Sequence, residues 1–391
     1  MPSRRNGLTR RALVAATVLG AGGSALAQRP PQPPRVKGPL VWLDMDQQDL
    51  DDAYDQLVYA PNRDYILKRC ARNSELARER LGAPQRFAYG ATPMEALDVF
   101  TAKVPNAPVS VFVHGGAWRA GLAINYAYAA EMFVSAGAHH VVLDFNNVLE
   151  TGGDLMVMAD QVRRAVAWVY RNAKSFGGDP ERLYVCGHSS GGHLAGVLLT
   201  TDWEKDFGLP PTLIKGGVCG SGMYDLKPVR LSKRSSYVKF TDAIEDNLSP
   251  QRHLDLLAAP VALVHGTLET PEFQRQSRDF AAAVKAAGKP VTLAVMESYN
   301  HFEVMEQLGN PYSLLQSLQP VRPRGAGADA ARAAVTPPRL FKKPRLGDNG
   351  AQRDYAITGR SGKRALGRVN AACRQRRDGT ASPALRPRTG S

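Results

Sequence analysis

The chain has 391 residues, 43% of them hydrophobic, with 4 cysteines and a formal charge of +14. That length can bury a sizeable core, and so few, scattered cysteines exclude a disulfide framework. The charge sits at the ends: residues 321–391 hold 17 Lys or Arg against 4 Asp, residues 1–27 hold four Arg and no acid, and 28–320 are left at −3, so the body is mildly acidic and no nucleic-acid partner is expected of it.

In chain order, Arg4, Arg5, Arg10 and Arg11 precede an apolar stretch from Ala12 to about Gly22 and then Ala25-Leu26-Ala27, the layout of a secretory signal with an A-x-A cleavage site. The apolar stretch is too short for a stable membrane anchor. Thr9-Arg10-Arg11-Ala12-Leu13-Val14 resembles a twin-arginine export signal, with an ordinary Sec signal as the other reading. Both predict removal of 1–27, a mature start at Gln28 and a periplasmic location. Residues 28–45 form a proline-rich leader with little capacity to pack. Asp46 to Arg69 predicts a helix broken near Ala60-Pro61-Asn62, and Gln85–Tyr89 and Ala96–Phe100 predict two strands around a Gly90-Ala91-Thr92-Pro93 turn.

Strands and helices then alternate: strand Val109–Val113, helix Ala123–Ser135, strand Ala138–Phe145, helix Val157–Ala173, strand Arg182–Cys186, helix Gly192–Leu199, strand Leu213–Cys219, strand Val261–Val264, helix Pro271–Ala287 and strand Val291–Val295. This is the pattern of a mostly parallel central sheet with helices on both faces, one α/β domain over 46–320. Lys227 to Pro250 is long enough to form a cap over a pocket. The 321–391 tail has no sustained period and few large apolar residues, which predicts a disordered, functionally silent extension. Its only aromatics, Phe341 and Tyr355, offer nucleic acid little to stack on. Cys70, Cys186 and Cys219 read as small buried hydrophobes, and no C-x-x-C or paired-His spacing suggests a metal site.

Three stretches carry chemistry. Gly187-His188-Ser189-Ser190-Gly191 fits G-x-S-x-G, the turn that presents a nucleophilic serine between a strand and a helix. His114-Gly115-Gly116-Ala117-Trp118 follows the Val109 strand, where a glycine pair frees backbone N–H groups; with Ser190 N–H, those of Gly115 or Gly116 would form an oxyanion hole. A serine needs a base and the base an orienting acid. His301, in the polar turn after the last strand, is the expected base, since His193 points away on the helix and His265 ends a strand. The acid is Glu269, Glu272 or Asp225. His114, Trp118 and Tyr224 are expected to contact substrate.

From about Asp46 to Tyr312 the chain resembles the α/β-hydrolase superfamily. Its HGGAW and GHSSGGHL stretches, Glu269-Thr270-Pro271-Glu272-Phe273 and Asn300-His301-Phe302 resemble bacterial esterases related to kynurenine formamidase (arylformamidase). The resemblance implies a nucleophile elbow after a central strand, a Ser-Asp-His triad and hydrolysis of esters or aryl formamides without cofactor. It places Glu269 where the family carries its Asp. The export signal favours an ester over a formamide, because kynurenine catabolism is cytoplasmic. A catalytically silent binding module of the same fold would lack a triad member, and none is missing; an anion-binding protein acting through its tail would show salt-dependent binding. The oligomeric state is not legible.

Overall fold

In a computed structural model of the chain, residues 35–310 and Ser313 are described. The signal-like segment, residues 28–34 of the leader and the basic tail lie outside them. A small antiparallel hairpin, β1 (Leu40–Trp42) with β2 (Met45–Asp46), leads into helices α1 (Gln47–Ala53) and α2 (Arg63–Leu81). The main sheet has eight strands: β3 (Gln85–Ala88), β4 (Ala96–Phe100), β5 (Ala107–Val113), β6 (His139–Leu143), β7 (Gly178–His188), β8 (Ile214–Gly220), β9 (Val261–Gly266) and β10 (Val291–Met296). Their spatial order is β10-β9-β8-β7-β5-β6-β4-β3, parallel except where β4 meets β3 and β6. The remaining helices are α3 (Ala130–Ser135), α4 (Leu155–Asn172), α5 (Ser190–Leu199), α6 (Trp203–Phe207), α7 (Lys227–Leu231), α8 (Asp242–Asn247), α9 (Pro271–Ala286) and α10 (His301–Glu306). The chain thus has the α/β-hydrolase architecture its sequence predicts.

The strands read as continuous apolar runs because both faces of the sheet are covered. Every residue of β5 is buried. Val109, Val111 and Val113 face a core built with α4, α5 and α9, whereas Phe112 faces a second core built with α2, α3 and α10. Burying each such side chain contributes about 1.5–3 kcal/mol. Caps fix where the helices begin: the Asp154 carboxylate accepts from Met156 N–H ahead of α4, and Thr270 with Pro271 at the first helical position opens α9.

Four details differ from expectation. Residues 40–45, assigned to an unpacked leader, form the β1–β2 hairpin with Asp46, where Arg35 is ion-paired to Asp46 and Trp42 packs on the core. The predicted 46–69 helix divides at a 3₁₀ turn, Gln56–Val58, and its second part continues to Leu81. The 123–135 helix is 3₁₀ up to Ala129, with a kink at Tyr126. The elbow strand starts early, at Gly178, where a bulge shifts its register against β5 between Ala107 and Val109.

Candidate active site

The C-terminal ends of β5, β7, β8, β9 and β10 bring the chemical residues together, as expected for an open parallel sheet. Between β7 and α5, Ser189 has φ 59° and ψ −126°, a conformation that non-glycine residues adopt only when the surroundings impose it. The imposition is steric: a Cβ on Gly191 would lie 2.1 Å from the Val113 carbonyl, so only glycine lets α5 start so close to β5. Ser189 N–H donates to the Gly220 carbonyl (2.8 Å), which fixes the turn from the β8 side.

Ser189 Oγ lies 2.8 Å from His301 Nε2, and His301 Nδ1 lies 2.7 Å from Glu269 Oε2. A carboxylate can only accept, so Nδ1 carries the imidazole proton and Nε2 is left to accept from the serine. All three residues are buried. His301 opens α10 behind a capping box: Asn300 Oδ1 accepts from Phe302 and Glu303 N–H, and the Glu303 carboxylate accepts from Asn300 N–H. Two further bonds hold Glu269 Oε1, from Ser221 Oγ (2.6 Å) and Gly266 N–H (2.7 Å). Leu268 N–H to the Tyr299 carbonyl (3.0 Å) ties the acid loop to the His301 turn.

On the far side of Ser189 stands the loop after β5. A Cβ on Gly115 would sit 3.1 Å from Ser189 Cβ, so the first glycine of the pair lies against the Ser189 side chain. The backbone then runs through φ 128° at Gly116, 55° at Ala117 and 61° at Trp118. Ser190 opens α5, where helix N–H groups lack intrahelical partners. The arrangement offers a nucleophile, a base with a fixed tautomer, an orienting carboxylate and nearby backbone donors, the components of acyl transfer.

The other two acids are engaged elsewhere. Glu272 is ion-paired to Arg275 and accepts from Tyr54 Oη (3.0 Å), while Asp225 accepts from Lys227 N–H (3.1 Å) and faces Arg252. The three expected substrate contacts are core residues. Tyr224 is wholly buried, stacked on Phe280, its hydroxyl donating to the Cys219 carbonyl. His114 is sandwiched between Tyr126 and Phe145, and burial lowers its pKa. Trp118 is only 2% exposed, beneath Arg234 and Phe240 of the 227–250 segment. A Cβ on Gly121 would meet the His114 ring, and one on Gly222 the Tyr224 ring.

Two neighbours escaped the sequence reading. Ser221, at φ 49° after β8, supports Glu269, and a lone serine next to glycine carries no signal for that. His188 packs against His301 with ring centroids 4.5 Å apart. Burial, and then the neighbouring His301, drive the His188 pKa well below its ordinary value, so a neutral ring lies beside His301. No cluster of His, Cys, Asp or Glu among the described residues is arranged to hold a metal ion.

Comparison with known proteins places the chain among hydrolases. Residues 157–316 match the prolyl oligopeptidase family and residues 97–211 the BD-FAE family. Kynurenine formamidase of Danio rerio is 30% identical over 290 residues, covering 71% of this chain and 96% of the relative. Esterase LipC of Mycobacterium tuberculosis is 27% identical, over 52% of this chain and 56% of its own length. Among solved structures, a Silicibacter protein described as a thioesterase superposes with a TM-score of 0.59 at 25% identity, over 68% of this chain and 97% of that one. The chain is a hydrolase and belongs to the kynurenine formamidase (arylformamidase) family of the α/β-hydrolases.

Proposed function

We propose that this protein is an exported serine hydrolase that cleaves a carboxylic ester of a small or aryl substrate. The observation that carries the reading is the pair of hydrogen bonds on His301, 2.8 Å to Ser189 Oγ and 2.7 Å to Glu269 Oε2. As Ser189 Oγ attacks the carbonyl carbon, its proton passes to His301 Nε2, and Glu269 stabilises the imidazolium. The oxyanion is held by the N–H groups of Ser190 and of Gly115 or Gly116. His301 then returns the proton to the departing alcohol, leaving an acyl group on Ser189 that water removes by the same steps. Export is supported by the signal-like residues 1–27 and predicts a mature N-terminus at Gln28, read by N-terminal sequencing of periplasmic protein.

The test is fluorophosphonate labelling, with the modified residue mapped, beside turnover of aryl esters. Label on Ser189 and loss of turnover in Ser189→Ala are expected; undiminished turnover in that variant would end the reading. The second reading, an aryl formamidase, is favoured by the near full-length match to kynurenine formamidase. Including N-formylkynurenine in the panel decides between them, since the preferred substrate is the one with the higher kcat/KM.

A further inference from the structure

The Trp118 backbone stands in the left-handed region together with Ala117, a conformation that non-glycine residues keep only where the surroundings over-determine it. Three groups of contacts do so. The Trp118 carbonyl accepts from Val148 N–H (2.8 Å); the indole ring packs against Arg234 and Phe240; and Trp118 Nε1 points at His193 Nδ1 (3.3 Å). His193 is wholly buried on α5, one turn beyond the nucleophile, and its Nε2 lies 2.8 Å from the Leu248 carbonyl. A carbonyl only accepts, so Nε2 holds the ring proton and Nδ1 presents the lone pair that the indole N–H requires. Burial pushes the His193 pKa down to about 4, which keeps that lone pair free near neutrality.

We propose that His193 is a positioning residue for the oxyanion loop: through the Trp118 indole it holds the Gly115 and Gly116 N–H groups beside Ser189, and through Leu248 it ties that loop to the 227–250 segment. This rests on the proposed function, in which those N–H groups bind the oxyanion. The backbone between the glycines and Trp118 is short, and Arg119 and Ala120 N–H both donate back to the Gly116 carbonyl. A rotation at Trp118 is therefore passed to Gly116 with little slack.

The test compares His193→Phe, Trp118→Phe and the double variant. Removing an oxyanion donor outright costs about 10²–10³ in kcat, so a displaced donor is expected to cost about 10–100-fold, with KM nearly unchanged. Affinity for phenylboronic acid, whose tetrahedral adduct with Ser189 places an oxygen in the same hole, should fall in step with kcat. The double variant should be no slower than the slower single one, because both remove the same link. If His193→Phe does not fold, Trp118→Phe carries the same kcat and boronate test from the other end of the bond. Unchanged kcat in either folded variant, additive losses, or a loss of kcat without loss of boronate affinity would overturn the inference. A wild-type protein that hydrolyses neither aryl esters nor N-formylkynurenine and does not bind the boronic acid would remove the proposed function and this inference with it; an active wild type with unaffected variants would remove the inference alone.

Discussion

Two histidines show how differently the C-terminal edge of the sheet and its middle treat an imidazole. His301, after β10, is buried but bonded at both nitrogens, to Glu269 on one side and Ser189 on the other. His140, on β6, is equally buried, stacked on Phe133 at 4.5 Å, and neither of its nitrogens has a hydrogen-bond partner among the described residues. Burial alone lowers the His140 pKa to about 3, so there the ring behaves as an aromatic spacer. The difference between the ring proposed as the base and a spacer therefore lies in the carboxylate. That carboxylate is itself held by two donors, Ser221 Oγ and Gly266 N–H.

The largest effect is expected from deleting the charge that makes His301 different. In Glu269→Gln the donors Ser221 Oγ and Gly266 N–H keep the amide oxygen at the Oε1 position, so an NH2 donor faces Nδ1 and the negative charge is gone; this favours the wrong tautomer and should lower kcat by up to about 10⁴-fold with a much smaller change in thermal midpoint. Glu272→Gln, three residues on, should do the reverse. It removes the buried charge that pairs with Arg275 and accepts from Tyr54 Oη, costing about 1.5–3 kcal/mol of stability, while kcat stays near normal. Steady-state kinetics beside denaturant unfolding separates the two. A collapse of kcat in Glu272→Gln with a normal Glu269→Gln would move the acid.

The next effect tests the spacer. Because the folded-state pKa of His140 lies below the ordinary value near 6.5, the unfolded chain binds the extra proton. Its contribution to stability is fully present above pH 6.5 and is lost as the pH falls from there toward 3. At pH 5 the loss is about 2 kcal/mol, from 1.5 pH units at 1.36 kcal/mol each. In His140→Phe that loss is absent. The drop in unfolding free energy between pH 8 and pH 5 should be smaller than in the wild type by about that amount, whatever constant packing difference the ring change introduces. Equal drops in the two proteins would show that His140 is hydrated or paired in solution.

The same contrast explains what was legible in the sequence. The strand and helix alternation, the elbow at Ser189 and the glycine pair at Gly115 follow from apolar periodicity and from backbone geometries that only small residues permit, and these are local properties. His301 was legible because only one histidine follows the last strand in a polar turn. Glu269 was set above Glu272 and Asp225 mainly by family resemblance, because the contact to His301 that its reading as the acid needs spans 32 residues. The burial of Tyr224 and Trp118 was not legible because the residues that cover them, Phe280 for the first and Arg234 and Phe240 for the second, are distant in sequence. The β1–β2 hairpin was hidden by the prolines before it, since its anchors, Arg35 to Asp46 and Trp42 to the core, are tertiary.

The smallest effect is expected at Ser221, which separates holding the acid from having it. Its hydroxyl, 2.6 Å from Glu269 Oε1, is one of two donors on that oxygen; without it Gly266 N–H remains and Oε2 can still reach His301. A side-chain hydrogen bond to a charged group contributes about 1.5–3 kcal/mol when lost outright, and with a second donor in place the low end applies, so Ser221→Ala should lower kcat about tenfold with KM unchanged. Ser221 also stands at φ 49°, where alanine is strained and glycine is not. Ser221→Gly removes the same hydroxyl while relieving that strain. The two variants should therefore share one kcat and differ in unfolding free energy, with glycine the more stable. A kcat restored to wild type in the glycine variant would mean that backbone geometry after β8, rather than the hydroxyl, positions Glu269. A loss near 10⁴ in both would make Ser221 as indispensable to the base as the carboxylate itself.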